Sequence, residues 1–319
     1  MTLFTKSRRG KLTFLPALAI LAAVFILNGV TEPNSLKMFA LKGLISTYLA
    51  LMFLAVAQTI VVFAGDIDLS VGAILGLVNV IVVTIMDSMG GGLSSVLLAI
   101  AAGLSVGAAC GLLNGLLVVR LRLQAIVATF ASSIVFAGCA LWVMPVAGVP
   151  APAIFWRAYG AKFLGVPVVF LIAIGLLGLI AYLVRTKLIL QILTVGDDQK
   201  AAYQSGLPVT AIRIKGYIMC GVFAALAALC ITGDTASGDP NVGAAITLNS
   251  VAATVLGGTA LAGGSGSMLG SVFGALAIGL INSLVFFLGT PSEWQNLAQG
   301  LTILVALMIG IFVSRRVQS

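Results

Sequence analysis

The sequence predicts an all-α polytopic membrane protein with about ten transmembrane helices, forming a single domain over residues 1–319. Three observations lead there. Hydrophobic residues make up 61% of the chain and charged residues only 8%, against roughly 25% charged in a soluble domain, too few to cover a water-facing surface. The apolar residues fall in ten runs, at about 12–30, 42–64, 69–87, 94–119, 123–144, 163–184, 212–233, 246–262, 267–288 and 295–313, and a hydrocarbon layer takes about 20 helical residues to cross. The basic residues are also unevenly shared. With ten crossings and the first segment in the cytoplasm, thirteen of the 17 Lys and Arg lie on the cytoplasmic side, the bias that orients multispanning proteins.

In chain order, the basic TKSRRGK precedes the run 12–30. That run is long for the core of a signal peptide and no small-residue cleavage site follows, so it reads as an uncleaved first span. The runs 69–87 and 246–262 are the short or glycine-interrupted ones. On the outer side lie Lys37, Lys42, Arg157 and Lys162. On the inner side lie Arg120, Arg122, Arg185, Lys187, Lys200, Arg213, Lys215 and the basic residues of both termini, which places both ends in the cytoplasm. The proline-rich outer segment 145–162, PVAGVPAPAIFWRAYGAK, reads as a structured cap or a short interfacial helix. The inner segment 185–213 is the longest polar stretch. Stretches such as GAACGLLNG and GSVFGALAIG space small residues four apart, which lets helix backbones approach closely in lipid.

Composition also excludes. The net charge of +8 marks topology, not nucleic-acid binding. Histidine is absent, which removes the commonest proton shuttle, metal ligand and general base. Cys110, Cys139, Cys220 and Cys230 all lie in apolar runs and read as packing residues. No metal site is expected, and no pair of acids at helical spacing supports an intramembrane enzyme.

The stretch 64–76, AGDIDLSVGAILG, holds two of the nine acidic residues. Residues i and i+2 of a helix do not share a face, so the stretch reads as a break between two helical pieces. Asp68 then caps the second piece, accepting from the amide of Ser70 or Val71, and Gly65 and Gly72 permit the break. Asp66 is left over. An ionisable residue near or inside a membrane defaults to a functional role: it faces a water-filled path or pairs with a loop cation such as Arg120 or Arg122. A second break falls at 256–271, LGGTALAGGSGSMLGS. Its likeness to 64–76 hints at a weak internal repeat between two halves. No GxxxxGK[ST] phosphate cradle occurs in the chain, so it has no ATPase motif of its own.

Within 185–213, TVGDDQKAAYQSGLPV reads as a short surface helix. Asp197 or Asp198 caps its start, Gly206 suits a left-handed end and Pro208 blocks continuation. Ala201, Ala202 and Leu207 offer a small apolar patch, and so short a helix calls for a partner to hold it. Inside the spans the polar residues are neutral, among them Gln58, Asn79, Asn114, Thr129, Ser132, Ser133, Asn249, Ser250, Asn282 and Ser283. Their default role is interhelical bonding. With Phe130, Gln58, Asn79, Asn114, Thr129, Asn249 and Asn282 are candidate path residues for a neutral hydroxylated solute.

GDIDLSVGA resembles the signature of the monosaccharide permeases of bacterial ABC importers, the ribose/xylose type. GDDQKAAYQSGLPVTAIRIKGY and LNSVAATVLGGTALAGGSGSMLGSVFGALAIGLINSLV are similar to two further blocks of that family, in the same order. The resemblance implies a transport subunit in the bacterial inner membrane, importing a small neutral sugar or related polyol. It makes Gly65, Asp66, Asp68, Leu69, Ser70 and Gly72 a signature segment. It also makes 197–207 the helix coupled to a cytoplasmic ABC ATPase, through Asp197, Asp198, Ala201, Ala202, Ser205, Gly206 and Leu207. This chain then binds no cofactor, ATP and Mg residing on that ATPase. An external solute-binding protein docks on loops such as 145–162 and 234–245. The path is shared with a second permease, either a copy or a paralogue, since Thr247-Leu248-Asn249 stands where the family usually has acidic-Leu-acidic. The competing reading is an ion-coupled secondary transporter using Asp66.

Overall fold

The computed structural model describes residues 14–289 together with Pro291, Trp294, Leu297, Gly300, Leu301, Leu304 and Met308. The basic N-terminal residues, the Arg315–Arg316 pair and most of the run 295–313 lie outside the described residues. The helices are α1 Leu15–Thr31, α2 Met38–Phe63, α3 Val71–Ser88, α4 Leu93–Gly115, α5 Ala125–Val143, α6 Ala153–Gly160, α7 Val168–Leu183, α8 Lys187–Asp197, α9 Gln199–Gln204, α10 Val209–Thr235, α11 Ala244–Leu256 and α12 Met268–Phe287. Among them α2, α3, α4 with its π-helical extension Leu116–Arg120, α5, α10 and α12 are six that are long and apolar enough to cross a membrane. The pair α7 and α8 makes a seventh if counted as one span, although the two are bent by 69°. The run 69–87 is therefore a full-length helix. The run 246–262 is not: its helix ends at Leu256 after 13 residues, about 20 Å at 1.5 Å per residue, and Gly257 and Gly258 open the loop that follows.

The purely α expectation needs one correction. Two small antiparallel sheets close the connections at one end of the bundle: β1 Val149–Pro150 pairs with β4 Ser237–Gly238, and β2 Lys162–Phe163 with β3 Val166–Pro167. The segment 145–162 is thus a structured cap containing α6. Tyr159 of α6 is buried against Gly233 of α10 and donates to the Ser46 carbonyl at 3.2 Å. Burial pushes its phenol above the ordinary range, so it remains a neutral donor.

The core forms around α10, which packs on α2, α3 and α4. At the α4–α10 crossing the backbones touch. A Cβ on Gly221 would run into the Gly107 carbonyl, and one on Gly111 into the Tyr217 carbonyl. Both α4 glycines belong to GAACGLLNG. After α10 the chain does not leave the bundle at once. Residues 236–243 run unwound along α3, with the Pro240 carbonyl against Gly76 and the Gly243 carbonyl against Gly72. So part of 234–245, expected as an external docking loop, is laid inside the fold. It has no helical amides to pair with there, and Asn79 of α3 takes their place. The Asn79 Oδ1 accepts from the Asp239 amide at 2.7 Å, while its Nδ2 donates to Thr232 Oγ1 at 2.7 Å and to the Ser237 carbonyl at 3.3 Å.

Gly221→Val should lower the thermal midpoint in detergent, by at least the about 1–3 kcal/mol typical of overpacking. Gly138→Val on α5, where an added Cβ meets nothing within 4 Å, should leave it unchanged.

Candidate functional site

The GDIDLS segment is a re-entrant turn. Gly65 takes a left-handed φ of 84° after α2 ends, and residues 64–70 double back beside α2 until α3 begins at Val71. The turn is stitched to three helices. The Gln58 amide of α2 donates to the Asp68 carbonyl at 3.0 Å and accepts from the Asp68 amide at 3.2 Å. Thr129 of α5 accepts from the Leu69 amide at 3.0 Å. Asn114 of α4 donates to Ser70 Oγ at 2.6 Å and to Asp68 Oδ2 at 3.4 Å. Gln58, Asp68, Ser70, Asn114 and Thr129 are all buried.

Asp68 makes the expected bond to the Ser70 amide but not from the capping position. Its Oδ1 accepts from the Ser70 amide at 2.8 Å and the Ser70 hydroxyl at 2.6 Å, and the Cys220 thiol of α10 lies 3.8 Å from Oδ2. The carboxylate therefore closes an Asx-type turn, and the residue before the helix is Ser70, whose side chain makes no cap. Asp66 does pair with a cation, as one of its two readings expected, but not with either residue offered as an example. Its partner is neither Arg120 nor Arg122, which are exposed, but Arg213 in the first turns of α10. Arg213 Nη2 donates at 2.9 Å and 2.7 Å to its two carboxylate oxygens, with both side chains largely shielded. A charged pair this short is among the stronger hydrogen-bonded contacts available.

The same end of the bundle carries the polar stretch. Asp198 Oδ1 accepts from the amides of Lys200 at 2.9 Å and Ala201 at 3.0 Å, which caps α9. The helix closes at Gly206, φ 79°, with the Leu207 amide donating to the Ala202 carbonyl at 3.1 Å, and Ser205 Oγ donates to the Ala201 carbonyl. The expected apolar patch is rearranged. Ala202 is buried in the core and Ala201 is exposed, because the cap rotates position 202 inward. The outward apolar group is Tyr203, 74% exposed, beside an open cavity of about 330 Å³ that Leu207, Val209 and Ile214 also line. Tyr203 and Arg213 are the two residues that sequence reading passed over. Tyr203 is the one aromatic in TVGDDQKAAYQSGLPV, which was the available signal.

The remaining candidates are scattered. Asn282 Nδ2 donates to the Tyr48 hydroxyl at 2.9 Å, tying α12 to α2. Asn249 on α11 is half-buried and Phe130 on α5 is exposed. Gly72 underlies Gly243 and Thr247.

The branched-chain amino acid transport system / permease component family model matches residues 40–307. Among curated relatives, the ribose import permease protein of Escherichia coli K12 is 32% identical, covering 96% of this chain and 95% of its own length. That of Bacillus subtilis is 34% identical over 93% of this chain and 91% of its own length. The fructose import permease protein of Rhizobium meliloti is 33% identical over 81% of this chain and 74% of its own. No solved structure matches.

Asn114→Ala removes the donor that Ser70 and Asp68 share and should cost about 1–3 kcal/mol, seen as a lower midpoint for unfolding in detergent. Asn282→Ala, in a half-exposed pair, should cost well under that.

Proposed function

This chain belongs to the family of branched-chain amino acid transport system permease components, and from that premise we propose that it forms the membrane path of an ATP-driven sugar importer. It is a multi-pass inner-membrane permease subunit. The solute we assign is a small neutral sugar or related polyol, delivered by an external solute-binding protein. A separate cytoplasmic ABC ATPase holds ATP and Mg and supplies the energy. A second copy or a paralogue completes the path. In this reading the chain makes ten crossings with both ends in the cytoplasm, α9 is the coupling helix and 185–213 the loop that presents it.

The observation that carries the reading is α9 itself. It has six residues, a length that does not persist alone in water, yet it is capped at both ends and turns Tyr203 outward beside an open apolar cavity. That surface fits a partner's groove. Among the described residues the buried polar side chains of the spans are amides and hydroxyls apart from Asp68, whose carboxylate is held in its own turn by Ser70 and Asn114, and such a set suits a neutral polyol better than an ion. The competing ion-coupled reading needs Asp66 to bind and release a cation. Both of its oxygens are engaged by Arg213, and a carboxylate neutralised by a guanidinium is a poor coupling site.

Uptake into vesicles should require ATP, the ATPase and the binding protein together. Solute accumulation by the lone chain in nucleotide-free vesicles would overturn the proposal. Tyr203→Asp should abolish co-purification of the ATPase while the chain stays monodisperse. Ala202→Arg, at a buried position, should instead lower the stability of the chain itself.

A further inference from the structure

Both flanks of α9 are fastened to the end of α2, and so is the second helix break. Before α9, Gly196 lies so close under α2 that a Cβ there would run into the Phe63 carbonyl, and would stand 2.8 Å from the Gly264 amide. That amide donates to the same Phe63 carbonyl at 3.1 Å. A Cβ on Gly263 would come within 2.8 Å of the Gly65 amide and 3.0 Å of the Gly196 carbonyl, and one on Gly264 within 2.6 Å of Asp197 Cα. Gly263 and Gly264 hold φ of 89° and 72°, a left-handed geometry that glycine adopts without strain. After α9, Arg213 grips Asp66. Three chain segments distant in sequence thus meet backbone to backbone, with no side chain between them to absorb a shift. The ion pair straps the far flank of α9 to the same turn.

We infer that this junction of Gly65, Gly196, Gly263 and Gly264, strapped by the Asp66–Arg213 pair, passes a displacement of α9 to both helix breaks together. The inference rests on the importer reading above. Close-packed contacts transmit displacement because they have no room to deform. Pushing α9 therefore moves the end of α8 against Phe63, and with it the turn 64–70 and the loop 258–266. The four glycines and the ion pair act as positioning residues for transport.

The test uses the full chain assembled with its ATPase and binding protein, in a Cys139→Ala background that removes an exposed native thiol. Thiol reporters are placed singly by Gln204→Cys on α9 and Ser265→Cys on the second break, and maleimide labelling is compared with and without Mg-ATP plus vanadate. In the parent both rates should change several-fold. Gly196→Ala and Arg213→Gln should each keep the change at 204 and lose the one at 265, and the swap Asp66→Arg with Arg213→Asp should restore it. A response at 265 that persists in both variants overturns the inference, as does a swap that leaves 265 silent. The ion-pair arm stands even where Gly196→Ala does not assemble. If position 204 in the parent ignores nucleotide, the importer reading itself fails.

Discussion

A backbone amide or carbonyl left unpaired in hydrocarbon costs several kcal/mol, and this chain nonetheless interrupts its helices at 64–70, 236–243 and 257–267. Each interruption survives because something specific pairs the freed groups. At 64–70 the partners are Gln58, Thr129 and the Asx turn of Asp68. At 236–243 Asn79 accepts from one amide and donates to one carbonyl. At 257–267 the Thr259 amide donates to the Thr254 carbonyl, the Ala260 amide to that of Ser265, and Thr259 Oγ1 accepts from the Ser267 amide. The fold depends on these substitutions for helical hydrogen bonds.

That dependence explains where the polar residues went. Gln58, Asn79, Asn114 and Thr129 read from sequence as interhelical bonds or as the lining of a path. Most of their polar atoms are engaged inside the protein, with backbone or with the side chains of Ser70, Asp68 and Thr232, and the buried Oδ1 of Asn114 is the one among them without a partner. Among the described residues the shielded ion pair Asp66–Arg213 serves as a fastening between α10 and the turn.

Much of this was legible one-dimensionally. The glycines and paired acids of GDIDLSVG announce a break, because acids at i and i+2 make no sense on one helix face. The Asp198 and Gly206 caps announce α9, because both devices act within four residues. What stayed hidden is nonlocal. Arg213 meets Asp66 across 147 residues, and no spacing rule selects it over Arg120 or Arg122. The stretch SGDPNVG carries every mark of an exposed turn. Only the glycines of α3 that receive its carbonyls reveal that it lies within the fold. Ala202 turned inward because the phase of a two-turn helix is fixed by its cap, and sequence alone does not settle which aspartate caps.

The glycine count follows from the same constraint. Helices that merely cross lipid are well served by leucine and valine. Glycine is needed where a carbonyl of one segment must sit against the backbone of another, as at Gly72, Gly107, Gly196, Gly221 and Gly257. Such contacts leave no side-chain layer to soften movement; those of Gly107 and Gly221 join two unbroken helices, while those of Gly72, Gly196 and Gly257 lie beside the breaks. In the importer reading proposed above, the irregular backbone at the breaks and the close-packed junctions between them work together, the junctions moving the breaks in step.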